Sequence, residues 1–143
     1  MSATVLYTPE VLGLAVDLAR VPLTDDFPLK GEARSKSCGS TIALGLETAA
    51  NGAIARVGVR SQACAIGQAA AAIFVQGAAG RNGPEIHAAG RAIAAWLAGE
   101  GPVPDWPGLS TIAAARDYPA RHGAVMLPWN AAMQVLPSEG MDV

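Results

Sequence analysis

Cys64 is the residue best placed for chemistry in this sequence. It sits in the run Arg60-Ser61-Gln62-Ala63-Cys64-Ala65-Ile66-Gly67-Gln68, where a strand-like segment gives way to a helix-like one. A helix N-terminus presents unpaired backbone N–H groups and a partial positive charge. Both favour a thiolate over a thiol, so a cysteine there is suited to act as a nucleophile or a metal ligand. The only other cysteine, Cys38, stands in Lys36-Ser37-Cys38-Gly39-Ser40, just ahead of an earlier strand-like segment. If the two strands pair, their ends bring the sulfurs within reach of one bound ion, at metal–sulfur distances of about 2.3 Å. Cys64 should alkylate faster than Cys38, because it gains from the helix N-terminus. The alternative is that both are small buried apolar residues, as free cysteine often is.

Two histidines complete the set of soft or titratable donors. His87 falls near the start of a helix-like stripe and reads as an ordinary surface or partly buried histidine. His122 follows Arg121 in a turn before a helix, a better place for a ligand or a proton donor. A metal site would therefore draw on Cys38, Cys64, His122 and Ser40. A closed tetrahedral site asks for four cysteine, histidine or carboxylate ligands, more than this chain offers alone. A phosphate-cradling glycine loop, a Gly-x-Ser-x-Gly elbow and a His-Glu-x-x-His pair are all missing from the sequence.

The elements that must position these residues follow from local patterning. Thr8, Pro9 and Glu10 read as a helix start, with Val11, Leu14, Ala15 and Leu18 on one face and Pro22 beyond the end. Val21–Lys36, with two prolines and a glycine, reads as a loop or loose arm. Thr41–Thr48 alternates, Asn51-Gly52 is a hairpin signal, and Ala53–Arg60 resumes with Val57 and Val59 on one face and Arg56 and Arg60 on the other. Ser61–Ala63 offers a short third strand. Four helical segments follow: Cys64–Ala79, one from about Pro84 to Gly99 with Ile86, Ala89, Ile93 and Leu97 as its stripe, Leu109–Asp117, and a last one through about Leu136. Pro128 is tolerable in that last helix only within its first turn. The predicted class is α+β: a small antiparallel sheet of two or three strands packed against about five helices, in a single domain spanning 1–143 with its core at about 5–137.

Composition narrows the function classes. The 143 residues suffice for one domain with its own core. A net charge of −2 gives no electrostatic case for nucleic acid. Neither a secretory leader nor an apolar run long enough to span a bilayer is present, so the expectation is a cytoplasmic protein with reduced thiols and no membrane partner. Charged residues make up only 15% of the chain, which leaves room for a partner-binding face.

The residues converge on a resemblance. Cys38-Gly39 precedes the hairpin, Ala63-Cys64-Ala65-Ile66-Gly67-Gln68-Ala69 spans the strand-to-helix junction, and Arg121 to Leu127-Pro128-Trp129 lies near the C-terminus. This order resembles the U-type iron–sulfur cluster assembly scaffolds, the NifU N-terminal, IscU and SufU-like family, from Tyr7 to about Leu136. The resemblance implies a compact α+β scaffold, not an enzyme, that receives sulfur from a cysteine desulfurase and passes clusters to recipient apo-proteins. It implies cluster or iron binding by three cysteines assisted by an aspartate, or zinc held at the same place. Cys38 and Cys64 match the first two cysteines. Ser40 stands where the aspartate is expected, Gly67 where a serine is, and Ala124 (or Gly123, with a slip of one) where the third cysteine is.

Three readings come from this. The first is a divergent iron–sulfur scaffold or carrier using Cys38 and Cys64, with His122 or an outside ligand. The second is a metal-free interaction or sulfur-acceptor protein that keeps the scaffold fold and binds a desulfurase or client. The third is a small thiol enzyme with Cys64 as nucleophile and His122 as base. Two chains related by a two-fold axis would offer four thiols, so a bound cluster is expected to bridge a homodimer.

Overall fold

The computed structural model of the chain describes residues 7–37 and 39–139. Cys38 lies outside them. Helix α1 (Pro9–Asp17) starts as its sequence predicts, with Thr8 Oγ1 accepting the Val11 amide at 3.2 Å and proline in the first turn. It tightens into a 3-10 turn at Leu18–Arg20.

Three antiparallel strands follow in the order β1 (Leu29–Arg34), β2 (Thr41–Thr48), β3 (Ile54–Gln62). Thr41 pairs with Gln62 and Leu44 with Val59, with one bulge at Glu47/Thr48 near the turn. Ser61 and Gln62 therefore continue β3 rather than adding a strand. The third strand is β1, inside the segment expected to be a loop. Its inward positions are Leu29, Gly31 and Ala33, the last two small because a helix crosses there: a Cβ on Gly31 would stand 2.2 Å from the Ala131 carbonyl oxygen. Ile42, Leu44 and Leu46 of β2 line the same inner face and are buried.

Helix α2 (Ala65–Ala78) buries most of its length through Ala69–Phe74, whose four alanines let neighbours approach closely. Helix α3 (Gly83–Leu97) opens with a capping box between Asn82 and Glu85 and buries Ile86, Ile93 and Leu97. The next predicted helix, Leu109–Asp117, is 3-10 and kinks at Ile112. Helix α4 (His122–Met133) is the central piece, packed against β1, β2, α2 and α3. Pro128 lies in its middle rather than in its first turn. The helix begins six residues before that proline, and the ring withholds the amide that would bond the Ala124 carbonyl. No described helix is long and apolar enough to cross a membrane.

Gly67 of α2 faces Ala124 of α4, and Phe74 of α2 meets Trp129 of α4. The two helices thus run in the same sense and start side by side. Their shared N-terminal end is where β1 leaves the sheet, β2 enters it and β3 ends.

Candidate functional site

Cys64 occupies the N-cap of α2, with φ −64° and ψ 170°, and is half-buried. Serine, threonine, asparagine or aspartate usually fills an N-cap and bonds the first amides through its side chain. Cys64 makes no such side-chain bond. It is held through its backbone: its N–H donates to Ser40 Oγ at 3.2 Å, and its carbonyl accepts the first helical bond from Gln68. The Gln68 amide group then reaches back to the Ala63 carbonyl at 2.8 Å. The thiol is therefore committed to nothing while the chain around it is fixed on both sides.

Ser40 reaches Cys64 because the strand register leaves no other outcome. With Thr41 paired to Gln62, the residue before β2 lies beside the residues after β3. Ser40 is 5% exposed and Ser35 is 2% exposed, the two buried polar side chains of the described core. The Ser35 amide donates to the Ser40 carbonyl at 2.8 Å and the Gly39 amide to the Ser35 carbonyl at 2.9 Å. These bonds close the loop that carries Cys38, and Gly39 takes φ +72° to complete it.

The start of α4 closes the corner from the other side. Ser37 Oγ donates to the Ala120 carbonyl at 2.8 Å. Gly123 lies against Ser35, where a Cβ would stand 2.6 Å from Ser35 Oγ. Ala124 is fully buried beside Gly67, whose own missing Cβ would fall 2.8 Å from the Ala63 methyl. The sequence reading missed Ser35 and Ser37. Their signal was a serine pair flanking a lysine just before a cysteine, which resembles any polar turn.

His122 stands at the first position of α4 and is half-buried. Its Nε2 lies 2.8 Å from the Arg116 carbonyl oxygen. A carbonyl carries no proton, so Nε2 donates, and in the neutral ring the lone pair falls on Nδ1. His87 Nε2 lies 2.9 Å from the Leu136 carbonyl, tying α3 to the chain after α4, in keeping with an ordinary partly buried histidine. Among the described residues, no group of three or more histidine, cysteine, aspartate or glutamate side chains is placed to hold a metal ion.

No protein-family model and no curated protein sequence matches the chain. Solved structures do. A NifU-like protein (N-terminal) from Brucella abortus, described as nitrogen-fixing, superposes with a TM-score of 0.83 and 26% identity over 92% of both chains. The chain has the fold of the U-type scaffold family. A candidate iron–sulfur cluster assembly scaffold protein for the SUF system from the thermophilic Fervidobacterium islandicum gives 0.84 at 18% identity, over 95% of this chain and all of that one. A hypothetical protein gives 0.70 at 19% identity, over 87% of this chain and 94% of that one. The U-type fold accounts for the α+β class, the three-stranded sheet and the helix order. On it, Ser40, Cys64 and Ala124 occupy one corner.

Proposed function

We propose that the chain is a divergent scaffold or carrier in iron–sulfur cluster assembly, holding iron or a cluster as cargo through Cys64 and Cys38. The observation that supports this best is the full-length likeness to a NifU-like protein, together with the half-buried, uncommitted thiol at the N-terminus of α2. A thiolate there faces amides that have no helical partner, which suits an anionic sulfur ligand. Ser40 holds the Cys64 backbone through its hydroxyl, so it serves as a positioning residue and, at most, a weak ligand. His122 supplies Nδ1 as the third donor, its ring orientation set by the Arg116 carbonyl, as ligating histidines usually are by a second partner. A two-iron cluster asks for four protein ligands, so it bridges two chains through four thiols. The protein is a carrier rather than an enzyme. Its partners are a cysteine desulfurase and recipient apo-proteins, and its place is the cytoplasm.

One observation favours a second reading. Ala124 is 0% exposed, and neither it nor Gly123, the two positions the resemblance offers for the family's third cysteine, carries a side-chain donor atom. A site short of ligands binds metal weakly. In that reading Cys64 accepts sulfur as a persulfide from a desulfurase and passes it on without metal. Elemental analysis of anaerobically purified protein separates the two. Iron or zinc near stoichiometry, lost in Cys64→Ala, supports the scaffold. Metal-free protein that still takes up sulfur on Cys64 supports the acceptor.

A further inference from the structure

The outer face of the sheet is divided into a covered half and an open half. In the covered half, residues 21–23 run parallel to the free edge of β3, with Leu23 N–H donating to the Val59 carbonyl at 3.1 Å and Val59 N–H to the Val21 carbonyl at 2.8 Å. The chain then crosses the face to reach β1. Phe27 lies on the paired glycines Gly45 and Gly58, where a Cβ on either would stand 2.5 to 2.6 Å from its ring. Arg56 closes the crossing, its guanidinium 3.9 Å from the Phe27 ring centre and 3.1 Å from the Asp26 carboxylate. The occupant of this half thus runs extended along the β3 edge at residues 21–23 and then turns at Asp25 and Asp26, which sets an acid on Arg56.

The open half repeats the arrangement without the occupant. Arg60 follows Arg56 by four residues on the same face of β3, and Ala43, in register with it, gives a small floor between the strands. Arg34 stands on β1 in the row of Thr41 and Gln62. Together with Gln134 these residues line a groove of about 590 Å³. Among the described residues, the sheet's ion pairs all gather on Arg56, leaving the exposed Arg34 and Arg60 without one. Two strands at about 4.8 Å spacing and two residues at about 3.3 Å put the two Cα atoms roughly 12 Å apart. Carboxylates four residues apart in an extended peptide share one face and span about 13 Å. Glu32, on the rim opposite Arg60, disfavours an occupant that is negative along its whole length.

We infer that this groove docks an extended segment of a partner protein carrying two acidic residues four positions apart, one on Arg34 and one on Arg60. The docking is independent of metal. The test uses metal-stripped protein and a fluorescein-labelled decapeptide with glutamates at positions 3 and 7, read by anisotropy at low salt. The expected result is binding that weakens about tenfold with Arg34→Gln or Arg60→Gln, in line with loss of one charge-assisted contact. It should also fall as salt rises. Circular dichroism checks that both variants fold, and Arg91→Gln on the exposed face of α3 controls for net charge. Equal weakening by Arg91→Gln overturns the proposal, as does equal binding of the glutamine twin of the peptide. Displacement by free citrate at the peptide's own affinity also overturns it, by marking a small-anion site. Cluster loading does not enter any arm, so the scaffold reading can fail while this one stands.

Discussion

The N-terminal and C-terminal ends of the α2–α4 pair are built from opposite materials. At the far end Phe74, Trp106 and Trp129 pack with ring centroids 5.2 to 5.7 Å apart, one pair stacked and two edge to face. Trp106 donates its indole N–H to the Ile73 carbonyl at 2.9 Å and carries Arg81 over its ring. At the near end the space is filled by Ser35, Ser40, Cys64, Gly67, Gly123 and Ala124, joined by backbone bonds. Aromatic burial concentrates stability at one end, worth several kcal/mol per ring. Small side chains and backbone bonds at the other end leave a half-buried thiol on a fixed frame. In the proposed reading, that division lets the corner vary in its donors without endangering the fold.

Mutations that exchange the properties of the two ends test the division. Trp129→Ala should cost about 3–5 kcal/mol, measured by urea unfolding, because it empties a fully buried site. Ala124→Cys should cost about 1–3 kcal/mol by overpacking at a fully buried position, yet raise iron retention, since it restores a third thiol beside Gly67. Unchanged retention with folding intact would show that the corner does not bind metal as a unit. Ser40→Ala should cost about 1 kcal/mol by removing the acceptor of the Cys64 amide. Cys64→Ala should shift stability by no more than about 0.5 kcal/mol, because no side-chain cap is lost, while abolishing metal or sulfur uptake. The smallest effect belongs to the surface. The Thr24 hydroxyl, and then Arg56, hold the Asp26 carboxyl below its usual range. A lowered value stabilises the fold above the ordinary carboxylate range and is lost as pH falls through the folded value. Asp26→Asn should therefore flatten the acid limb of a pH–stability curve slightly, and added salt should shrink the difference.

Much of this was legible from residue patterns. A hairpin centred on Asn51-Gly52 pairs Thr41 with Gln62, so it already sets Ser40 beside Cys64, and the bulge near the turn does not disturb that pairing. Thr8-Pro9 marked the start of α1, whereas for α3 the sequence reading took only Pro84 and passed over the cap formed by Asn82 and Glu85. β1 was hidden because α4 crosses it, which forces Gly31 and Ala33 where a strand would normally show branched residues. Pro128 misled because a proline signals a boundary locally, and only the all-round burial of α4 overrides that signal. At the site, the strand-to-helix junction read at Cys64 is where α2 starts, while Cys38 lies outside the described residues. The roles of Ser35, Ser37 and the Arg116 carbonyl depend on contacts between distant segments, which no local pattern encodes.

The most direct test is anaerobic reconstitution with iron and sulfide, followed by size-exclusion chromatography with absorbance, iron and sulfide quantification. The account predicts a dimer carrying a two-iron cluster, absent from Cys38→Ala and Cys64→Ala. A wild-type protein that retains no more iron than the double cysteine variant would contradict it.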